Sequence, residues 1–522
     1  LSKEFNSGLE LRQKILKGAT ILADNVASTL GPKGRNVILH PKNGNPIITK
    51  DGVTVAKFVE LEDPFENVGA QTLKQAALQT NVNAGDGTTT STVLAAAILK
   101  ESQKYLAAGS SPIELKRGIS KATDIILEKL SQLARPIKSK EDIEHVAKIS
   151  ANGDEKIGKL IASAVDLIGK DGAITIEEAR SVDTTLDVVE GFRFQSGYLS
   201  PTFITDERTG AVKYNEPLLL VTDAAIETVD ELMPALEIAA REGRPFVVVA
   251  ENVEGQALAA LIMNAMRGTL KVAAVKAPQY GEERRNILKD LCISTGATFV
   301  SREAGLSLAE ITLNDFGTAK SIEILNNLTT IVAGNGEQED IEKRIETLKA
   351  LVPQTDSLYE SEKIQERITR LASGIAIIRV GAPTEVEMIE KKHRIEDSLA
   401  AVKAAQEEGI VTGGGSALIK IHNDLKVDTD NQDQMFGVEV VKEAIKKPLR
   451  QMAINAGESP DLIVNEVINS DNDEGWNFIK NELTDMYVDG IIDPVKVTRN
   501  ALQNASSAAA TLITTDYCII EK

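Results

Sequence analysis

Cysteine is nearly absent from this chain: Cys292 and Cys518 are the only two in 522 residues, and no CxxC pair exists. That excludes a disulfide scaffold or a cysteine-built zinc site and favours a reducing compartment. Histidine is also scarce. His40, His145, His393 and His422 show no metal-ligand spacing, and all four read as structural or solvent-facing. Aromatic residues make up only 4%, so Ala, Leu, Ile and Val must carry the packing. No apolar run reaches about 18 residues, which removes a membrane-spanning helix. No signal peptide is visible, although Leu1 is not an initiator methionine. The GxxxxGK[ST] pattern is missing, which disfavours an ordinary P-loop ATPase. Basic residues are the minority, 58 against 77 acidic, for a net charge of −19. That argues against nucleic acid or an anionic membrane as the main partner.

What is present is ample apolar material, 42% of residues, on a chain whose length suggests about three domains. Residues 9–132 read mainly as helices, at 11–29, 65–83, 88–107 and 112–133, interrupted by a hairpin at Asn36–His40 and Pro46–Thr49. Pro136 marks a break, and short helices around 141–169 lead to a strand at Gly172–Ile176. Next, the apolar runs Leu218–Val221, Phe246–Ala250, Leu270–Lys276 and Ala297–Ser301 alternate with helical segments at 228–242, 255–267 and 282–294. That β-α-β order predicts a sheet with right-handed crossovers. Segments 338–351 and 358–372 read as an antiparallel helix pair. A strand Ile375–Val380, a charged helix 385–408, a helical region from Gly413 to about 466 and a strand Asp516–Glu521 follow.

The densest chemistry lies in Asn83-Ala-Gly-Asp-Gly-Thr-Thr-Thr-Ser-Thr92. The glycines let a backbone approach a ligand and take positive φ. The threonines supply hydroxyl and N–H groups at a helix start, where orphan donors and the helix dipole favour phosphate. Asp86 adds a hard oxygen ligand suited to Mg2+. A flexible turn before an N-capped helix is the plainer reading of this stretch alone. Two further pieces support a nucleotide: the glycine-rich Leu30-Gly-Pro-Lys-Gly-Arg35, and Thr49-Lys-Asp-Gly-Val53 with a second carboxylate before a glycine.

With LGPKGRNV at 30–37, TKDGVTVAK at 49–57, AGDGTTT at 84–90 and EEGIVTGGG at 407–415, the chain resembles group I chaperonins, the GroEL type, nearly end to end. The resemblance implies a multidomain α+β/α fold. A mainly helical equatorial ATP-binding domain would come from 1–132 and 408–522. A small intermediate hinge domain would come from 133–189 and 375–407, and an α/β apical domain from 190–374. Pro136, Gly191 and Gly374 would act as hinges, with Ser373 standing where the family usually has a second glycine.

It further implies ATP hydrolysis with Mg2+, and K+ as a further activating ion. Thr29, Leu30, Gly31 and Pro32 match the first phosphate and base contacts. Gly87, Thr88, Thr89 and Thr90 match the phosphate cradle, and Asp86 the magnesium ligand. Lys50 and Asp51 match residues beside the γ-phosphate, Asp51 helping to position water. Asp397 matches the catalytic carboxylate, carried in when the intermediate domain closes. Ser150, Gly414, Asn477 and Asp493 match further nucleotide contacts, Asp493 facing the ribose. The family's Tyr-Asn-Ala and a following small residue are here Trp476-Asn-Phe-Ile479, which alters the base pocket.

Tyr198, Phe203, Met233, Leu236, Leu258, Ile262 and Met263 match cavity-facing residues that bind non-native polypeptides and a GroES-type co-chaperonin; by helical pattern alone they would be core. The implied assembly is a heptameric ring, single or weakly paired as a double ring. Arg450 and Lys104 keep basic inter-ring positions, whereas their acidic partners match Ser459 and Gln432. Within the ring Glu385 is present, but its arginine partner matches Ser196. Asp154 and Arg394 match a retained latch within one subunit. Bacterial cytoplasm is the expected location, with the mitochondrial matrix or a phage-encoded copy in host cytoplasm as alternatives. A metabolic ATP-dependent kinase or ligase with an α/β substrate domain is the competing function.

Overall fold

Helical periodicity in the first 133 residues becomes, in the computed structural model, α1 (Gly8–Ala27), α2 (Gly52–Phe58), α3 (Pro64–Ala84), α4 (Thr88–Ala107) and α5 (Pro112–Leu133). The structure describes residues 3–42, 46–169, 173–179, 181–301, 305–354, 358–372 and 374–521. Local chemistry fixes the helix starts. Asp63 accepts from the N–H groups of Phe65 and Glu66, and Ser111 from that of Glu114, each just ahead of a proline. Orphan donors are thereby capped, and proline sits where no N–H is needed. α1 and α3 approach closely because Gly18 and Gly69 carry no side chain. A Cβ there would stand 1.7 Å from the Glu66 carbonyl oxygen or 2.1 Å from that of Ile15.

The C-terminal part contributes α13 (Glu385–Glu408), α14 (Ser416–Asn423), α15 (Gln432–Ala444), α16 (Lys447–Ala456), α17 (Pro460–Asn469) and α18 (Val495–Ile513). α15 and α18 pack on α4 and α5, so a single core joins Leu22, Leu73, Ile98 and Ile119 to Val441, Leu502 and Ala509. Four antiparallel pairs decorate it: β1 (Lys3–Ser7) with β20 (Tyr517–Glu521), and β2 (Val37–Leu39) with β3 (Ile47–Thr49). The others are β16 (Ile410–Thr412) with β19 (Ile492–Pro494), and β17 (Glu474–Asn477) with β18 (Glu482–Asp485). With α6 (Lys140–Ser150) and most of α7 (Glu155–Ile168) these form one compact unit, Leu1–Asp166, Glu178–Thr184 and Val380–Lys522.

The second unit, Leu167–Glu177 and Thr185–Arg379, is built on a ten-stranded sheet. Its strands are β4 (Ala173–Glu178), β5 (Thr185–Phe194), β6 (Val212–Asn215), β7 (Leu218–Thr222), β9 (Phe246–Ala250), β11 (Val272–Lys276), β12 (Phe299–Val300), β13 (Gly317–Ile324), β14 (Thr329–Gly334) and β15 (Gly374–Val380). The order is β11-β9-β7-β13-β14-β5-β15-β4, with β12 on β7 and β6 on β13. β7, β9, β11 and β12 run parallel, and β7 and β9 are closed to solvent throughout. Continuous apolar runs of this kind suit strands covered on both faces. A short parallel pair, β8 (Ala225–Ile226) with β10 (Asn252–Val253), lies apart from the sheet. The helices are α8 (Val229–Glu242), α9 (Gly255–Arg267), α10 (Gly281–Thr295), α11 (Gln338–Leu351) and α12 (Leu358–Ala372).

The sequence anticipated the parallel strands with their helices, and β15 as the strand Ile375–Val380, but not β13, β14 and β5 or the antiparallel pairing that joins them. Those pairings are set by partners far away in the chain, such as Ile377 opposite Asp187. Gly191 and Gly374, expected as hinges, sit inside paired strands opposite Val332 and Glu190. Ser373 and the expected strand start at Gly172 lie outside the described residues.

A buried charge cluster ties α10 to α11 and α12. Asp290, only 1% exposed, accepts from Arg344 Nε at 2.9 Å and from Arg367 Nε and Nη2 at 2.6 and 2.8 Å. Removing one member of a buried ion pair leaves the others desolvated and unpaired, at about 3–5 kcal/mol. Asp290→Ala should therefore lower the urea midpoint of the chain by that equivalent and make α11 and α12 the first sites of limited proteolysis. An unchanged midpoint would contradict this account of the cluster.

Candidate functional site

The turn between α3 and α4 is shaped by two glycines. Gly85, at φ +73°, ends α3, and Gly87, at φ +91°, is the residue before α4. Gly87 offers no side chain to cap the helix, so the N–H groups at its start face outward with the positive end of the helix dipole. The Thr88 hydroxyl oxygen is buried and makes no hydrogen bond among the described residues. A buried polar atom left open in this way calls for a ligand or water. Space is held clear by contact: a Cβ on Gly52 would stand 2.2 Å from Thr89 Oγ1.

Around this helix start a cleft within the first unit gathers Thr29, Leu30, Gly31, Pro32, Lys50, Asp51, Asp86, Gly87, Thr88, Thr89, Thr90, Ser150, Asp397, Gly414, Asn477 and Asp493. Every nucleotide residue expected from the sequence is thus brought to one place. Asp86 Oδ2 accepts from Ser150 Oγ at 2.9 Å, and its Oδ1 from the Gly87 N–H at 2.5 Å. Lys50 Nζ donates to the Gly31 carbonyl at 3.1 Å. Its pKa lies below the usual lysine value, first through burial and then through Arg394, with Glu390 opposing. A bound polyanion would reverse that shift.

Two carboxylates reach the cleft from different elements. Asp51 caps α2, accepting from the N–H groups of Val53 and Thr54 at 3.1 and 2.9 Å and from the Thr54 hydroxyl at 2.5 Å. Its position is fixed, and much of its accepting capacity is already used. Asp397 reaches the cleft from α13, a helix held by Arg394, 3.5 Å from Asp154 and 2.7 Å from Glu390. Gly85 admits α13 closely, since a Cβ there would stand 2.1 Å from that of Ala400.

His145 and His393 also line the cleft, contrary to the reading of all four histidines as structural or solvent-facing. His393 precedes Asp397 by one helical turn on the same face, a spacing that could have revealed it. His145 packs over Gly490, where a Cβ would lie 2.6 Å from its ring; nothing local in the sequence signalled that contact.

Toward the other end, Gly414 takes φ +63° and its N–H bonds the Asp493 carboxylate. Enclosure by protein, with Asp86 nearby, pushes the Asp493 carboxyl up to about 7, although the cleft leaves its surface partly open. Phe478 is buried in a small core with Leu449 and Met452, whereas Ile479 is 70% exposed at the cleft margin. No group of three or more His, Cys, Asp or Glu among the described residues could cage a metal. Asp86 with nearby hydroxyls instead suits Mg2+, which takes one or two carboxylates and completes its shell from substrate phosphates and water.

In the second unit the expected polypeptide-binding residues separate. Met233 and Met263 are exposed, and Met266, not foreseen, is more so. Tyr198, Leu258 and Ile262 are partly buried against the core. Phe203 and Leu236 are core residues, at 1% and 7% exposure, which corrects their assignment to an open surface. Leu236 lies on α8 together with the exposed Met233, and the turn that carries Phe203 packs against α9, which carries Met263 and Met266.

A family model described as the TCP-1/cpn60 chaperonin family matches residues 22–522. Among solved structures, the chain is similar to the chaperonin gp146 from bacteriophage EL 2 (Pseudomonas aeruginosa), crystallised in the presence of ATP-BeFx. The match has a TM-score of 0.65 and 22% identity over 99% of both chains.

Asp493 makes a measurable pH signature. Its folded pKa is raised from 3.8 to about 7, so between those values the folded state keeps a proton that the unfolded state has lost. Stability contributed by the protonated group is therefore complete below about pH 4 and lost as pH rises toward 7, at no more than ~1.4 kcal/mol per pH unit. Urea unfolding of wild type and Asp493→Asn should diverge across this window, the variant being relatively more stable at pH 7 than at pH 4. Parallel curves would show that the carboxyl is ionised throughout.

Proposed function

Because the chain belongs to the TCP-1/cpn60 chaperonin family, we propose that it is the ATP-hydrolysing subunit of a heptameric ring. That ring binds non-native polypeptides and encloses them under a GroES-type co-chaperonin. The observation that carries the ATPase reading is the cleft, where an uncapped helix start, the open Thr88 hydroxyl, Lys50, Asp86 and Asp397 converge. The first turn of α4 would hold the phosphates through its N–H groups. Lys50 would add a positive charge that phosphate restores to full protonation. Asp86 and the Thr88 hydroxyl would hold Mg2+, whose chemistry is to neutralise charge on the phosphates. Asp397 would accept a hydrogen bond from the attacking water and orient it. Asp51 holds Thr54 and the α2 start in place and would help to position the attacking water, and Asp493 would accept from the ribose.

Ring formation is supported by the first unit's surface. The two-stranded β1–β20 and β2–β3 sheets leave outer edges open, with Phe5, Ile519, Ile38 and Ile48 exposed beside them. Open edges flanked by apolar side chains favour association with another copy. Pairing of two rings is argued to be weak. Arg450 is engaged within its own subunit by Asp461 at 2.5 Å, and Lys104 by Glu101 at 2.8 Å. Exposed pairs contribute only about 0–1 kcal/mol each, and the positions that would supply acidic partners across the rings carry Ser459 and Gln432. The division into equatorial, intermediate and apical domains at 132/133, 189/190, 374/375 and 407/408 belongs to the same proposal.

Asp397→Ala should leave ATP binding nearly intact while phosphate release falls on the order of 10²-fold or more; wild-type turnover would remove Asp397 from the mechanism. Met233→Glu with Met263→Glu should abolish capture of unfolded protein while ATPase activity and assembly persist, since a docking apolar chain would desolvate the new carboxylates. Undiminished capture would exclude that surface. Native mass measurement at several protein concentrations, with and without ATP, should find single rings or exchange between single and double rings. Stable double rings under every condition would contradict the weak-pairing proposal.

A further inference from the structure

Arg135 lies between α5 and α6, just before Pro136, and is not one of the described residues that line the cleft. Its attachments nevertheless converge on one wall of it. The main chain bonds Ile410 in both directions: the Arg135 N–H donates to the Ile410 carbonyl at 2.9 Å, and the Ile410 N–H to the Arg135 carbonyl at 2.7 Å. Ile410 opens β16, the partner of β19. On the side chain, Nη2 donates to both carboxylate oxygens of Asp473, at 2.7 and 2.9 Å. The guanidinium also lies 4.0 Å from the centre of the Tyr487 ring, a cation–π distance. Asp473 stands just ahead of β17 and Tyr487 shortly after β18, so this side chain spans the open end of the hairpin.

Between β18 and β19 runs the turn Met486–Ile491. The Met486 N–H bonds the Asp473 carbonyl at 2.9 Å, and the Ile491 N–H bonds the Met486 carbonyl at 2.8 Å. Asp489, Gly490 and Ile491 of the turn line the cleft, as do Trp476–Lys480 of the hairpin. One residue thus holds the turn at both ends, through Asp473 and Tyr487 at its start and through the β16–β19 pair at its finish. Asp86, the α4 start and Asp397 are carried by other elements. We propose that Arg135 is a positioning residue for the nucleotide: acting through the hairpin and the turn, it keeps this wall of the cleft in its binding shape and takes no part in hydrolysis. The proposal rests on the nucleotide reading above.

Calorimetry of the assembled protein with magnesium and a non-hydrolysable ATP analogue tests it, with phosphate release and urea unfolding followed on the same samples. The Arg135 and Asp473 side chains are 50% and 41% exposed, so truncation leaves no buried charge behind. Arg135→Ala should raise the dissociation constant of the analogue and the KM for ATP about three- to tenfold, the scale of two exposed contacts of modest strength. The kcat and the urea midpoint should stay as in wild type. Asp473→Asn removes the ion pair and leaves the ring contact, so it should weaken binding less, and adding it to Arg135→Ala should weaken binding no further. Unchanged affinity in both single variants, or a fall in kcat with KM unchanged, would overturn the proposal. A lowered urea midpoint accompanying the weaker binding would make Arg135 a stability residue and overturn it as well. Failure of wild type to bind the analogue would overturn it together with the nucleotide site itself.

Discussion

The structure turns on one constraint: the start of α4 must stay uncapped and accessible inside a closely packed helical unit. Several helices in this chain are capped by a side chain just ahead of them, as α3 is by Asp63 and α5 by Ser111. α4 is preceded instead by a left-handed glycine, and its first threonine hydroxyl is buried without a partner. Leaving a buried polar group unsatisfied costs about 1–3 kcal/mol. A cost of that size is tolerable only where the packing around it is over-determined, and a ligand that completes the bonds would recover it.

The packing is over-determined because both ends of the chain build it. α18 lies against α3, α4 and α5, and a Cβ on Gly87 would stand 2.8 Å from Val497 at the α18 start. The turn is thus held by residues some 400 positions away. The same closure brings α13 and the β16–β19 pair to the cleft, so Asp397, Gly414 and Asp493 reach it from one stretch of chain. Arg394 links α13 to Asp154 and so to the residues just before α7. A change that frees α13 would move Asp397 and would also release Ala400 from its close approach to Gly85 at the phosphate-binding turn.

Legibility in the sequence followed how local each determinant was. The glycine-rich segments at 30–35, 49–53 and 84–90 could be read directly, since the residue types carry their own chemistry, and the structure gathers them into one cleft. Helix limits were legible for the same reason: α4, α5 and α9 start and stop at caps, prolines and glycines. The antiparallel strands β13, β14 and β5 were not, because their partners are set by register across long separations. Phe203 and Leu236 look the same in sequence whether they face core or solvent, and only tertiary packing into the core of the second unit decides it. His145 was not legible because its contact with Gly490 is set far along the chain, whereas His393 could have been read from its one-turn spacing to Asp397. The capping duty of Asp51 was hidden behind its resemblance to a catalytic position.

The central claim is that the α4 start is a phosphate-binding site completed by Asp86 and approached by Asp397. A density map of the assembled protein with magnesium and a non-hydrolysable ATP analogue tests it most directly. The account expects the phosphates against the N–H groups of Thr88–Thr90, the metal between Asp86 and the phosphates, and the base against Trp476–Lys480. Nucleotide density elsewhere, or an α4 start contacted only by water at saturating analogue, would contradict it.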